Sequence, residues 1–152
     1  MSYPCEIKEQ ASQPALAIRT RTPVQDLPQV LGRCYGILYA YLEQLGEPPA
    51  GPPYLGYYNL DMQNLDLDVG VPVAKELPGS GEIQPARLPG GTVATCLYTG
   101  PYPEMGVAYD TLTRFIEDNH RQPAGPVYEI YLNDPSNTPP EQLQTLILFP
   151  LA

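Results

Sequence analysis

An internal repeat constrains the fold of this chain more than any other feature of its sequence. Residues 49–57 (PAGPPYLGY) match residues 123–131 (PAGPVYEIY) at an offset of 74 positions, and the same offset aligns the apolar residues that precede them. The aligned positions are Tyr35 with Tyr109, Leu38 with Leu112, Tyr41 with Phe115, and Leu42 with Ile116. Further along, residues 71–73 match residues 149–151 at an offset of 78, so the second copy has a loop four residues longer.

Each copy predicts the order strand, helix, strand, strand. In copy one, apolar residues recur at steps of three and four, which is typical of a helix with one buried stripe. They are Leu27, Val30, Leu31, Cys34, Tyr35, Leu38, Leu42 and Leu45, and the pattern ends before Gly46 and Pro48. Strands are predicted over 15–20, 54–60 and 65–73, the last from its alternation of apolar and polar residues.

Copy two shows the same order with different residues. Its first strand is predicted over 92–99, a β-branched run after two glycines. The helical stripe contains Met105, Ala108, Tyr109, Leu112, Phe115 and Ile116. The last two strands are predicted over 127–132 and 143–149.

Neither copy can bury the open face of its own small sheet. The sequence therefore predicts one α+β domain over residues 1–152, in which two pseudo-symmetric strand–helix–strand–strand repeats form antiparallel sheet with a ligand cleft between them. Repeat one covers about 13–75, a linker about 76–90, and repeat two about 91–152. The linker is expected to hold an edge strand over 82–88, where Pro85 is tolerated.

Charge and cysteine content exclude several functions. The chain has 8 Lys and Arg against 17 Asp and Glu, a formal net charge of −9, which disfavours direct contact with nucleic acid or an anionic membrane. No apolar run approaches the roughly 18 residues of a membrane helix. The three cysteines are far apart in the sequence and include no CxxC pair, so a reduced, cytoplasmic chain is expected.

Glu129 is the residue that most needs an explanation. Alternation along 127–132 puts Tyr128 and Ile130 on one face, which we expect to pack on the helix, and Glu129 with Tyr131 on the opposite face, toward the cleft. The corresponding residue in copy one is Leu55, so the carboxylate breaks the pseudo-symmetry. The alternative is a solvated glutamate on an exposed sheet face.

Tyrosine is abundant, with 12 Tyr against 2 Phe and no Trp. Aromatic faces attract cations, and a carboxylate among them strengthens that preference once water is displaced. An aromatic cleft with one carboxylate suits a small, flat, hydrophobic cation, although any single tyrosine could instead be a core or surface residue. The predicted ligand-binding residues are Glu129, Tyr131, Tyr57, Tyr58, Tyr98, Tyr35 and Tyr109.

Other motifs do not indicate a metal, a cofactor or a nucleophile. Asp66 and Asp68 resemble part of a calcium loop, but position five is Gly70 and the final glutamate is missing, so a solvated strand face is expected. His120 is the only histidine and follows the second helix, which disfavours a nucleophile–histidine triad. We expect no cofactor and no metal.

Several motifs, in this order, resemble the GyrI-like effector-binding domain, which also forms the ligand-sensing part of some AraC-type and MerR-type regulators. They are Tyr98-Thr99-Gly100-Pro101-Tyr102, the helix over 105–117, residues 123–131, Asn133-Asp134-Pro135 and the strand over 145–151. The resemblance implies two repeats around a cleft that binds small hydrophobic, often cationic, molecules. The acidic residue of the family's Y-E-[IV]-Y strand lies in that cleft and falls on Glu129.

Two departures from the family pattern limit what the resemblance implies. The family's last strand often begins T-E, whereas Leu146 follows Thr145 here, so a second carboxylate role is not supported. With no helix-turn-helix segment in the sequence, an effect on DNA would require another chain.

Three functions remain open from the sequence. The first is a stand-alone protein that binds hydrophobic or aromatic cations through Glu129. The second, which the resemblance implies, is a hydrolase that opens cyclopropane-containing alkylating natural products with Glu129 as general base. The third is a protein-interaction or inhibitor module with a protein partner.

Overall fold

The computed structural model describes residues 3–152, so residues 1–2 of the predicted domain lie outside the described residues. In chain order the elements are strands β1 (Cys5–Gln10) and β2 (Gln13–Thr22), helix α1 (Leu27–Leu45), strands β3 (Tyr54–Tyr57), β4 (Leu65–Pro72), β5 (Ile83–Leu88) and β6 (Gly91–Thr99), helix α2 (Gly106–Asp118), and strands β7 (Val127–Tyr131) and β8 (Gln144–Pro150). Contacts divide the chain into two compact units, Ser12–Pro89 and Gly90–Ala152 with the described part of Met1–Ala11.

The unit Ser12–Pro89 is an antiparallel sheet in the order β3-β4-β2-β5, with α1 packed on β2 and β4. Helix α1 has a proline in its first turn and ends at Gly46, whose φ of 71° is the left-handed conformation that glycine adopts readily. Its buried stripe consists of Cys34, Leu38 and Leu42. Strand β5 pairs with β2 and carries Pro85.

The unit that contains Gly90–Ala152 is an antiparallel sheet in the order β1-β6-β8-β7, with α2 packed on β6. One face of this sheet and one stripe of α2 form a continuous core. Its buried members are Ala94, Cys96, Tyr98, Met105, Ala108, Leu112, Ile116, Ile147 and Phe149. The helix stripe matches the apolar spacing in the sequence, which is why α2 lies on this face.

The predicted α+β class is confirmed. The elements β2-α1-β3-β4 and then β6-α2-β7-β8 follow the order strand, helix, strand, strand. The predicted linker strand also forms, as β5. Strand β1 was not predicted, because its sequence CEIKEQ has no clear alternation and its pairing with β6 is a tertiary contact. None of the helices within residues 3–152 is long and apolar enough to cross a membrane.

Candidate functional site

Glu129 lies in the middle of β7 and is only 8% exposed. In the sheet register Glu129 is opposite Ile147, which in turn is opposite Cys96. Directly opposite residues of antiparallel strands point to the same face, and Ile147 and Cys96 belong to the core that packs on α2. Glu129 therefore lies on the face that α2 covers, and the prediction that it points away from the helix is wrong.

The error has a physical cause. Alternation separates the two faces of β7 but does not say which of them a helix covers. The other face is buried too, since Tyr128 is 8% exposed and its register partner Leu148 is 1% exposed. Apolar character could not distinguish the two faces.

Two phenol hydroxyls hold the carboxylate of Glu129. Tyr131, two residues along β7, donates to Oε1 at 2.7 Å. Tyr109, in the first turns of α2, donates to Oε2. One group from the strand and one from the helix therefore fix the orientation of the carboxylate.

Aromatic rings continue outward from this pair of hydrogen bonds. The ring of Tyr131 meets the ring of Tyr102 edge-on, with centroids 5.7 Å apart and an interplanar angle of 65°. The ring of Tyr109 lies 6.1 Å from that of Phe149 at 50°. Such tilted and edge-on pairs are favourable arrangements of aromatic quadrupoles. We call Glu129, Tyr109, Tyr131, Tyr102 and Phe149 the acid–aromatic cluster.

The cluster lies in a negative electrostatic environment. Burial, followed by the negative charges of Asp134 and Glu129, raises the pKa of Tyr102 above its ordinary value. The unit that holds the cluster has nine Asp and Glu against three Lys and Arg. Both the local and the wider charge distribution therefore favour a cation over an anion at this position.

Thr145 adds an unusual feature beside the cluster. It is fully buried on β8 and lies opposite both Tyr131 and Tyr98 in the register, so it shares the face of Glu129. Within the described residues its hydroxyl has no hydrogen-bond partner. An unsatisfied buried hydroxyl costs about 1–3 kcal/mol, so Thr145 is a polar group that a neighbouring polar atom would stabilise.

The other copy keeps the tyrosine of the helix but has a leucine at the position of the acid. Tyr35 of α1, the counterpart of Tyr109, donates its hydroxyl to the carbonyl of Tyr54 at 2.9 Å. Leu55, the counterpart of Glu129, is completely buried. Burial is the main reason that the pKa of Tyr35 lies well above its ordinary value, and the nearby phenols, which include that of Tyr57, contribute. Tyr35 and Tyr57 therefore interact in the other copy, in which Leu55 stands at the position of Glu129.

Two predicted tyrosines already have other roles. Tyr98 is 1% exposed in the core and donates to the carbonyl of Pro101 at 2.6 Å. Tyr58 is exposed, donates to Asp68 at 2.8 Å, and has the guanidinium of Arg19 over its ring at 3.6 Å. Its aromatic face is thus engaged with a cation from the chain itself.

Asp66 forms ion pairs on the same strand surface. It accepts hydrogen bonds from Arg19 at 2.7 and 2.9 Å and from Arg21 at 3.2 Å. These three residues and Thr20 line a surface recess of about 480 Å³. Among residues 3–152, no group of three or more His, Cys, Asp or Glu side chains is placed to hold a metal ion.

The two phenol hydrogen bonds orient the carboxylate of Glu129. Each oxygen of Glu129 already accepts a phenol hydrogen. A general base must approach the proton that it removes within hydrogen-bonding distance, and a carboxylate oxygen that accepts one phenol hydrogen has a second lone pair, so the two phenols orient Glu129 without blocking proton transfer.

Three members of this region were not among the predicted ligand-binding residues. Tyr102 follows Gly100-Pro101 in a recognised motif, which could have drawn attention to it. Thr145 reaches the cluster through the β7–β8 register, and Phe149 reaches it through its ring contact with Tyr109 of α2. No local pattern in the sequence reveals either contact.

Comparisons with known proteins agree with this architecture. The chain has a TM-score of 0.84 to the EcmrR C-terminal domain, at 21% identity over 100% of this chain and 99% of that one. It covers 57% of the EcmrR chain seen in a DNA complex, with a TM-score of 0.87 and 21% identity. The structure of SAV2435 bound to tetraphenylphosphonium has a TM-score of 0.64 at 17% identity over 100% of this chain and 94% of that one.

A hydrolase from Listeria innocua has a TM-score of 0.70 at 16% identity over 97% of this chain and 91% of that one. These identities establish the shared fold. No curated protein matches the chain. Residues 3–152 match the family described as the GyrI-like small molecule binding domain, so the chain belongs to the GyrI-like family and is a small-molecule binding domain.

Proposed function

We propose that this domain binds small apolar cations, with the carboxylate of Glu129 as the counter-charge and the rings of Tyr109, Tyr131 and Tyr102 as the aromatic surface around the ligand. The observation that carries the proposal is a carboxylate that is only 8% exposed and is held by two phenol hydroxyls. Tyr35 and Tyr57 stay in the proposal as the aromatic counterpart in the other repeat, where Leu55 replaces the acid.

The chemistry of the cluster selects for a cation with an apolar surface. Charge–charge attraction is several times stronger near a partly buried carboxylate than in bulk water, because the effective dielectric is lower. A strongly hydrated cation would lose its water there without replacement, whereas a delocalised organic cation has little hydration to lose and gains contact with aromatic faces.

A structural neighbour supports this choice of ligand class. SAV2435, which has the same fold, is bound to tetraphenylphosphonium, a cation with four aromatic rings. The net charge of −9 also makes nucleic acid an unfavourable direct partner for this chain.

Isothermal titration of tetraphenylphosphonium against the wild type and Glu129→Gln tests the proposal. The variant keeps the size and shape of the side chain, removes its charge, and replaces one acceptor oxygen by an NH2 donor. We expect affinity to fall about 10- to 100-fold, the range for losing one partly desolvated charge interaction.

The matched control is Glu117→Gln, which makes the same change in net charge on an exposed position of α2 in the same unit. Its affinity is expected to equal that of the wild type. Triphenylphosphine oxide, a neutral molecule of similar shape, is expected to bind wild type and Glu129→Gln equally. Equal affinity of wild type and Glu129→Gln for the cation would overturn the proposal.

The hydrolase alternative makes a different prediction for the same variant. A hydrolase would convert a cyclopropane-containing alkylating compound to a ring-opened product, detected by mass spectrometry, and Glu129→Gln would abolish conversion while retaining binding. Because the proposal assigns Glu129 the role of a counter-charge, we expect binding without turnover.

A further inference from the structure

We propose that Cys5 and Cys96 are a modification site, at which a small-molecule disulfide converts the two thiols into an intramolecular disulfide that fixes β1 to β6. The two cysteines are directly opposite each other in the antiparallel register of these strands. The proposal is independent of the ligand bound at Glu129, and it concerns residues that the binding function does not use.

The phase of the backbone hydrogen bonds determines how close the two side chains are. Leu97 N–H donates to the carbonyl of Pro4 at 3.0 Å, so Pro4 and Leu97 form a hydrogen-bonded pair. Hydrogen-bonded and non-hydrogen-bonded pairs alternate along antiparallel strands, and the latter have Cα atoms about 4.5 Å apart with closer side chains. Cys5 and Cys96 are the next pair, hence a non-hydrogen-bonded one.

That separation suits a disulfide. Disulfides span Cα–Cα distances of about 4.4–6.8 Å, so the bridge can form without moving the strands apart. The nearness of Cys5 also contributes to the raised pKa of the Cys96 thiol. Both are free cysteines, and both belong to the core on the α2 face of the sheet.

The two thiols differ in accessibility, and this difference determines which of them reacts first with an external disulfide. Cys5 is half-buried near the start of the described chain, whereas Cys96 is completely buried. Burial, reinforced by the contact with Cys5, raises the pKa of Cys96 to about 12. Cys5 is therefore the thiol that an external reagent meets first.

The reaction is thiol–disulfide exchange with a low-molecular-weight disulfide such as oxidised glutathione. The Cys5 thiolate attacks one sulfur of the reagent, which breaks its S–S bond and releases one glutathione thiolate. The Cys96 thiolate then attacks the Cys5 sulfur of the mixed disulfide and releases the second glutathione. The protein loses two electrons and two protons, and the reagent gains both as two thiols.

The bridge would join residues 91 positions apart, and a link across a long segment restricts the unfolded chain strongly. It would also tie β1 to the strand on which α2 packs. Oxidation would thus stiffen the sheet and helix that hold Glu129 and Tyr109, without contact between either cysteine and a ligand.

The experiment is incubation of the folded, reduced protein with excess oxidised glutathione, followed by intact-mass analysis and peptide mapping. We expect a monomer lighter by two hydrogens, a mapped Cys5–Cys96 link, and reversal by dithiothreitol. The thermal midpoint is expected to rise by about 10 °C on oxidation.

Cys34 provides the matched control, because it is a buried free cysteine in the other unit. Cys34→Ala should give the same link, and Cys5→Ala should not. Stable glutathione adducts on Cys5, disulfide-linked dimers, unchanged thiols, or a link that leaves the thermal midpoint unchanged would each overturn the proposal. The mapping on wild type decides the outcome even if a variant folds poorly.

Discussion

The hydroxyl of Tyr131 donates a 2.7 Å hydrogen bond to Oε1 of Glu129, two residues earlier on the same strand. Side chains at this spacing point to the same face, so a single strand supplies both the acid and one of the groups that hold it. Tyr109 of α2 supplies the other. A binding group that is fixed before the ligand arrives loses less conformational entropy on binding.

We expect Tyr109→Phe and Tyr131→Phe each to lower the free energy of unfolding by about 1–3 kcal/mol, because each leaves an oxygen of a nearly buried carboxylate without its donor. The rings are retained, so contacts with Phe149 and Tyr102 persist. Urea denaturation measures the effect. In the Glu129→Gln background both losses should shrink, and additive losses would contradict direct coupling.

Gly70→Ala is expected to destabilise the protein by about 1–3 kcal/mol through overpacking. A Cβ at this position would lie 2.3 Å from Cζ of Tyr54, a fully buried ring paired with Gly70 in the register. The matched control is Gly32→Ala in α1, where a Cβ meets no atom within 4 Å. That change should stabilise by about 0.5–1 kcal/mol, and thermal denaturation of both variants tests the pair.

Asp66→Asn is expected to lower stability by about 1 kcal/mol or less at neutral pH, the range for a surface ion pair. The hydrogen bond from Arg19 holds the pKa of Asp66 below its ordinary value of 3.8. A lowered pKa in the folded state contributes stability that is present above pH 3.8 and is lost as the pH falls through the folded value.

The difference in free energy of unfolding between wild type and Asp66→Asn should therefore disappear in acid, as measured by urea denaturation across pH 2–7. Glu43→Gln, an exposed change on α1, is the control for net charge. A difference that persists unchanged at the lowest pH would contradict the role of the Arg19 pair.

Tyr35→Phe is expected to lower the free energy of unfolding by about 1 kcal/mol at neutral pH, since it removes the hydrogen bond to the Tyr54 carbonyl. Burial raises the pKa of Tyr35 well above 10.0. A raised pKa contributes stability that is fully present below pH 10.0 and declines as the pH rises toward the folded value.

The free energy of unfolding of the wild type should exceed that of Tyr35→Phe by less and less above pH 10, with a slope approaching about 1.4 kcal/mol per pH unit. Denaturant titrations from pH 8 to 12 measure the slope. A constant difference over that interval would show that the Tyr35 hydroxyl is solvated in the folded protein.

The sequence determined both helices and every strand except β1, because helical and strand periodicities are local properties that a repeated pattern reinforces. The bounds of α1, Leu27–Leu45, follow directly from its apolar spacing and from Gly46. The choice of Glu129 as the distinctive acid likewise came from comparing it with Leu55 in the other copy. Its role as a ligand contact stays a prediction, as does the cleft between the copies.

Tertiary structure decided which groups meet. Strand alternation could not say that α2 covers the face of Glu129, so the bond from Tyr109 was not expected. The three cysteines looked isolated in the sequence, and only the β1–β6 register brought Cys5 beside Cys96. The physical reason is the same in both cases: periodicity fixes the direction of a side chain relative to its own backbone, whereas its neighbours depend on how distant segments pair and pack.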